Sequence, residues 1–132
     1  MRSDDWPQIF AEFVEARSSM PFEWQTNDCV TFAADWAFAV TGADPIADVR
    51  GSWTTKIGAA RALNRFGGLA EAIGSRLEEI SPAFAQRGDV GLVDVEDGEA
   101  LVIVGYDNLI GPGPNGLTFL PRDKMKRAWK VG

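Results

Sequence analysis

The one cysteine of the chain, Cys29, follows an Asn-Asp pair and opens a run that is almost wholly apolar, "CVTFAADWAF". At a helix N-terminus, a cysteine meets backbone N–H groups and the positive end of the macrodipole. These stabilise a thiolate and can hold an oxyanion, a combination suited to nucleophilic acyl transfer. Free cysteine is also among the most buried residue types and packs as a small hydrophobe, so position alone leaves both readings open. The sequence contains no histidine, so no imidazole of this chain can take the thiol proton and return it to a leaving group. With no CxxC and no Cys/His spacing, an internal disulfide and a zinc or iron–sulfur site built by this chain alone are excluded. No metal and no cofactor is expected.

The elements that must position Cys29 can be read from punctuation and periodicity. "DDWP" at residues 4–7 announces a first helix, whose apolar face is Trp6, Ile9, Phe10, Phe13 and Val14. Asn27 or Asp28 caps a second helix that ends at Gly42. Its residues Val30, Phe32, Ala33, Trp36, Ala37 and Val40 leave little polar surface except Asp35, which predicts a central, covered helix over 28–41. A loop spans 43–53. A third helix is expected from Thr55 to Phe66, burying Ala59, Ala62, Leu63 and Phe66, and a short fourth carries Leu69, Ile73 and Leu77 beyond Gly67-Gly68. After Pro82 the pattern changes to β-branched runs. "DVGLVDV" and "ALVIVGY" form a hairpin around Glu96-Asp97-Gly98, "NLIGPGPNGLTFLP" adds two short strands, and "RAWKV" a last one. Helices first and strands afterwards make an α+β domain with an antiparallel sheet. Residues 1–132 read as a single domain.

Composition narrows the function classes. The hydrophobic fraction is 45% and the charged fraction 24%, ordinary globular values. A net charge of −6 argues against a nucleic-acid partner bound through a broad basic surface. No apolar run approaches the ~20 residues of a membrane span, and "MRSDDWPQIF" lacks a signal-peptide core, so synthesis in the cytosol is expected. "DVEDGE" lacks the spacing of a calcium loop and reads as an acidic turn. "GPGPNG" lacks the Gly-Lys-Ser/Thr of a phosphate loop and reads as a compound turn. The "RGD" of residues 87–89 is a loop arginine before a strand-opening Gly-Asp.

The quoted motifs carry a resemblance. "FEWQTNDCVTFAADW", then "RGDVGLVDV" and "ALVIVGYDN", resemble the NlpC-type cell-wall cysteine peptidases, a papain-like family. The whole chain is similar to small phage and prophage proteins related to them. "DWP", "NDC", "TGADP", the Gly-Asp strand, "GPGPNGL" and the C-terminal "AW.V" occur in order over residues 4–131. The resemblance implies an NlpC-like fold in which the Cys-bearing helix packs on the C-terminal sheet. It also implies a place among long-tailed phage tail-tip proteins, with synthesis in the host cytoplasm followed by incorporation into the virion tail.

Carried over by position, Cys29 takes the nucleophile's place, and Glu99 or Ala100 holds the histidine's place. A glutamate near pKa 4.3 facing a thiol near 8.5 is mismatched by roughly 4 units, or about 6 kcal/mol. Neighbouring Asp94, Glu96 and Asp97 further oppose a thiolate. The Cys29 thiol is therefore expected to titrate near or above its ordinary value, and ordinary Cys–His catalysis is not expected. The reading that follows is a structural or adaptor protein whose partners are other tail-tip proteins. Its rivals are a hydrolase using Cys29, and a dead module that holds peptidoglycan peptide in the old cleft. Gln25 and Asp28 are candidate lining residues there, and Trp24 and Trp53 are candidate contacts or core residues. Between Arg122 and Lys130 five basic residues surround Trp129, and Lys126, Arg127 and Trp129 form a candidate partner surface.

Overall fold

In the computed structural model, which describes all residues 1–132, four helices precede a single six-stranded sheet. The helices are α1 (Trp6–Arg17), α2 (Cys29–Thr41), α3 (Lys56–Asn64) and α4 (Leu69–Gly74). The strands are β1 (Glu79–Ile80), β2 (Val90–Val95), β3 (Gly98–Val104), β4 (Asn108–Gly113), β5 (Gly116–Pro121) and β6 (Arg127–Trp129). All pairings are antiparallel, in the order β1-β6-β2-β3-β4-β5. The α+β class and the central Cys-bearing helix agree with the sequence reading.

Helix α2 is central because its side chains have nowhere else to go. Phe32, Trp36 and Val40 are fully buried, and Val30, Ala33, Ala34 and Ala37 are nearly so. They pack with Phe10 of α1 and with Leu92, Leu101, Ile103 and Ile110 from one face of the sheet. Trp36 meets Phe10 edge-on at 5.2 Å and its indole N–H donates to the Gly88 carbonyl at 2.7 Å. The other face of the sheet carries a smaller cluster of Val93, Val102, Val104, Leu109, Met125 and Ala128. Apolar cover on both faces explains why β2 and β3 read as almost unbroken apolar runs rather than alternating ones.

The chain ends and the start of β2 are tied by one carboxylate. Buried Asp89 accepts from the Arg2 guanidinium at 2.8 Å, the Val131 N–H at 3.1 Å and the Gln86 N–H at 2.8 Å. Arg2 also donates to the carbonyls of Val131 and Arg87. Gly88 must be glycine here: its φ is +93°, and a Cβ would lie 3.0 Å from the Trp36 ring and from Arg2.

Three local expectations are corrected. Helix α3 starts on the Thr55 cap but stops at Asn64, so Phe66 lies outside it and is 36% exposed, stacked under Arg76 rather than buried. Helix α4 ends at Gly74, before Leu77. The two-residue strand β1 had no periodic signal; it exists because β6 offers an edge to Glu79 and Ile80.

Candidate functional site

The sheet opens between β3 and β4. These strands share only the pairs Ile103–Ile110 and Val104–Leu109, whereas β4 and β5 pair along their whole length. The Gly105 N–H donates to the Asn108 carbonyl, so odd-numbered residues of β3 and even-numbered residues of β4 form the hydrogen-bonded pairs. The next rung would set Leu101 against Pro112, which has no N–H to give. The ladder stops there. The β4–β5 hairpin is instead held to the approach to α2, by Phe22 N–H to Gly113 carbonyl at 2.7 Å and Leu117 N–H to Ser18 carbonyl at 3.4 Å. Gly116 allows this docking, since a Cβ there would sit 2.3 Å from the Ser18 oxygen.

The resulting cleft has a volume of about 430 Å³ and is largely apolar. Trp24, Cys29, Trp53 and Leu101 line its depth; Lys56, Asp97 and Glu99 line it as well. An ion pair between Lys56 at the start of α3 and Asp97 in the β2–β3 turn joins its two sides. Both partners are exposed.

Asp28 belongs to the scaffold of this cleft. It is buried, and one carboxylate oxygen accepts from the N–H groups of Val30 and Thr31 and from the Thr31 hydroxyl. The other accepts from the Gln25 N–H at 2.9 Å and the Trp53 indole at 2.8 Å. The Thr31 hydroxyl in turn accepts from the Asp28 N–H, closing a capping box. Gln25 reaches this position with φ at +81°, the only non-glycine residue at positive φ. Asn27 is equally engaged: it donates to the carbonyls of Met20 and Pro21 and accepts from Arg17, which also pairs with Asp35. The loop before Cys29 is thus fixed from three sides.

Cys29 itself is a free thiol, half-buried at the first position of α2. Burial pushes its pKa up from the usual value near 9 to about 11. The adjacent Leu101 N–H works against burial, and the Asp28 charge works with it. Helix-end stabilisation therefore loses to desolvation.

Neither candidate for the histidine's place brings an imidazole. The Glu99 carboxylate is 2.5 Å from the Lys126 ammonium, which also holds Asp94 at 2.7 Å. Ala100 has only a methyl group, packed toward the smaller cluster on the other face of the sheet. The expected partner surface is likewise changed. Trp129 is fully buried, its indole N–H the one buried side-chain donor without a partner; β6 lies between β1 and β2, which turns this side chain into the core. Lys126 is neutralised by Asp94 and Glu99, and Arg127 grips Glu79 through two bonds of 2.8 Å. Trp53 is also core, 4% exposed, and Trp24 is half-buried against Phe22. Sequence reasoning missed the Lys56–Asp97 link and the role of Pro112, which it placed in a compound turn and which lies in β4. Only the proline had a legible signal, because it interrupts a strand.

Comparison with known proteins agrees with this geometry. A solved structure titled the NlpC/p60 domain of the peptidoglycan hydrolase SagA superposes with a TM-score of 0.60, at 18% identity, over 93% of this chain and 97% of that one. Such a likeness establishes the fold. A search of curated proteins by sequence gives no match. The family model described as a domain of unknown function, DUF6950, matches residues 1–131, and the chain belongs to that family, built on an NlpC/p60-like fold.

Proposed function

We propose that this protein is a structural or adaptor component of a phage or prophage tail tip, built on a cysteine-peptidase fold that has lost its ordinary catalytic chemistry. The observation that carries the loss of chemistry is the surroundings of Cys29. Its thiol is held neutral by burial, the chain has no histidine, Glu99 is committed to Lys126, and Ala100 cannot accept a proton. General acid–base transfer at that sulfur has no agent within the chain. The tail-tip assignment draws its support from the order of "DWP", "NDC", "TGADP", "GPGPNGL" and the terminal "AW.V", which resembles small proteins of phage tail-tip gene clusters.

The test compares virions that carry Cys29→Ser with wild-type virions. The substitution keeps size and removes only thiol chemistry, so assembly and infectivity should be retained. Incorporated Cys29→Ser particles that fail to cross the host wall would overturn the adaptor reading in favour of hydrolysis at Cys29.

A second reading has its own observation, the open, largely apolar cleft of about 430 Å³. A module that holds a cell-wall peptide needs the walls and not the base. Calorimetric titration with soluble muropeptides separates the two: saturable heat, lost on substituting Trp24 by Ala, favours the binder.

A further inference from the structure

The far end of the β2–β3 hairpin carries a feature unrelated to the cleft. Arg87 lies just before β2, and Tyr106 lies in the turn that follows β3. The cleft lip is at the opposite end of β2, about 20 Å away for a strand of six residues. The Arg87 guanidinium stands 4.0 Å from the Tyr106 ring centre, 4.9 Å from Trp6 and 5.7 Å from Phe10. Arg2 also stacks on the Trp6 ring, at 4.7 Å from its centre. Arg2 spends its charge on Asp89, but Arg87 pairs with no carboxylate and its side-chain N–H groups have no acceptor in the protein.

An arginine ordered by stacking, with its fork of donors unspent, is preorganised for an anion. The rotamer entropy that an exposed arginine loses on binding has already been lost on folding. Its surroundings are those of an interface rather than of a solvated surface. Tyr106 is 76% and Phe84 77% exposed, the most exposed aromatic rings in the molecule. Beside them Arg2, Trp6, Phe84 and Lys130 line a recess of about 480 Å³, together with the carboxylates of Asp4 and of Asp89, the latter bound to Arg2. Arg, Tyr and Trp are the residue types enriched at binding hot spots.

We infer that this face docks an acidic segment of a partner protein. A carboxylate of that segment sits on the Arg87 fork, and a neighbouring apolar side chain lies against Phe84. In a chain of net charge −6, such a site confines attraction for acidic partners to one end and leaves the acidic β2–β3 turn to repel them from the other.

The probe is the blocked peptide Asp-Asp-Phe-Asp, against its amide counterpart Asn-Asn-Phe-Asn, followed by the NMR signals of the Arg87 Nε and Trp6 indole groups. The acidic peptide should shift both saturably and weaken as salt rises from roughly 0.05 to 0.3 M; the amide peptide should not bind. Arg87→Gln should weaken binding about ten-fold, the measure of a lost charge-assisted bond, and Arg87→Lys should fall between. If Arg87→Gln melts early, Tyr106→Ala, which removes only an exposed ring, should weaken binding several-fold with an unchanged thermal transition. Equal binding of both peptides, or acidic binding indifferent to all three variants, would overturn the proposal. Sedimentation of the protein alone supplies the remaining arm: self-association abolished by Arg87→Gln would make a second copy the occupant and overturn the partner assignment.

Discussion

The depth of the cleft and its lip use the same chemical group in opposite ways. Asp28 lies buried beside Cys29 with five donors converging on its two oxygens. At the lip, Asp97 and Glu99 are exposed and meet only lysine ammonium groups. Water can replace a lysine at an exposed carboxylate, but it cannot reach the donors around Asp28. The buried carboxylate therefore holds architecture, and the exposed ones tune access and local charge.

The sharpest way to break this contrast is Asp28→Ala. It leaves the N–H groups of Val30, Thr31 and Gln25 and the Trp53 indole unpaired in the interior. A loss of about 4 kcal/mol is expected from several unsatisfied donors, read by urea unfolding. A loss near zero would mean that Asp28 is not the keystone of the α2 start.

Cys29 provides the next largest effect. The folded thiol ionises at about 11 and the unfolded one near 9, so between these values the folded state keeps a proton that the unfolded state has released. The resulting stability is fully present below pH 9 and is lost as pH rises through 11. Wild-type stability should fall more steeply than that of Cys29→Ser across this window, and iodoacetamide labelling should reach its midpoint near the upper value. A labelling midpoint below pH 7 would reveal an activated nucleophile and reverse the functional reading.

Access comes third. Since Cys29 is the only thiol, its labelling rate with a bulky maleimide at fixed pH reports the width of the cleft mouth. Lys56→Ala removes the Lys56–Asp97 link between α3 and the β2–β3 turn. The rate should rise about three-fold, the scale of one exposed ion pair, and high salt should do the same to wild type. An unchanged rate would show that the link does not restrict entry. The smallest effect belongs to Asp97→Asn, which should leave the urea midpoint where it is; a clear shift would erase the distinction between depth and lip.

What the sequence disclosed, and what it withheld, follows the same division. Helix α2 was legible because an apolar run opened by the Asp28 cap and closed by Gly42 is a local pattern. The β2–β3 hairpin was legible for the corresponding reason. The position of Cys29 at a helix start could be read, and so could the lack of a histidine. The environment of Trp129 could not, since an indole among basic residues has the same sequence pattern whether its strand lies inside a sheet or at an edge. Strand order decided that, through β1 pairing with β6. The Lys56–Asp97 and Arg127–Glu79 pairs join residues far apart in the chain, and no spacing rule reaches across such distances. Asp28 was assigned to the lining of a binding cleft, and it lies there; its bond to Trp53, a residue of the following loop, makes it part of the frame as well.

Pro112 has a consequence for motion. Because its missing N–H ends the β3–β4 ladder after two rungs, hairpin β4–β5 joins the rest of the sheet through a short hinge and is held otherwise by the segment from Ser18 to Phe22 and by Leu109 and Ile110 in the core. Amide exchange in β4 and β5 should then proceed as a cooperative unit of lower protection than β2 and β3. Each opening of that unit also pulls on the segment leading to Asn27 and Asp28. Breathing of the hairpin is therefore expected to set the timescale on which the sulfur is exposed, so amide exchange in β4 and β5 and thiol labelling at Cys29 should slow and quicken together.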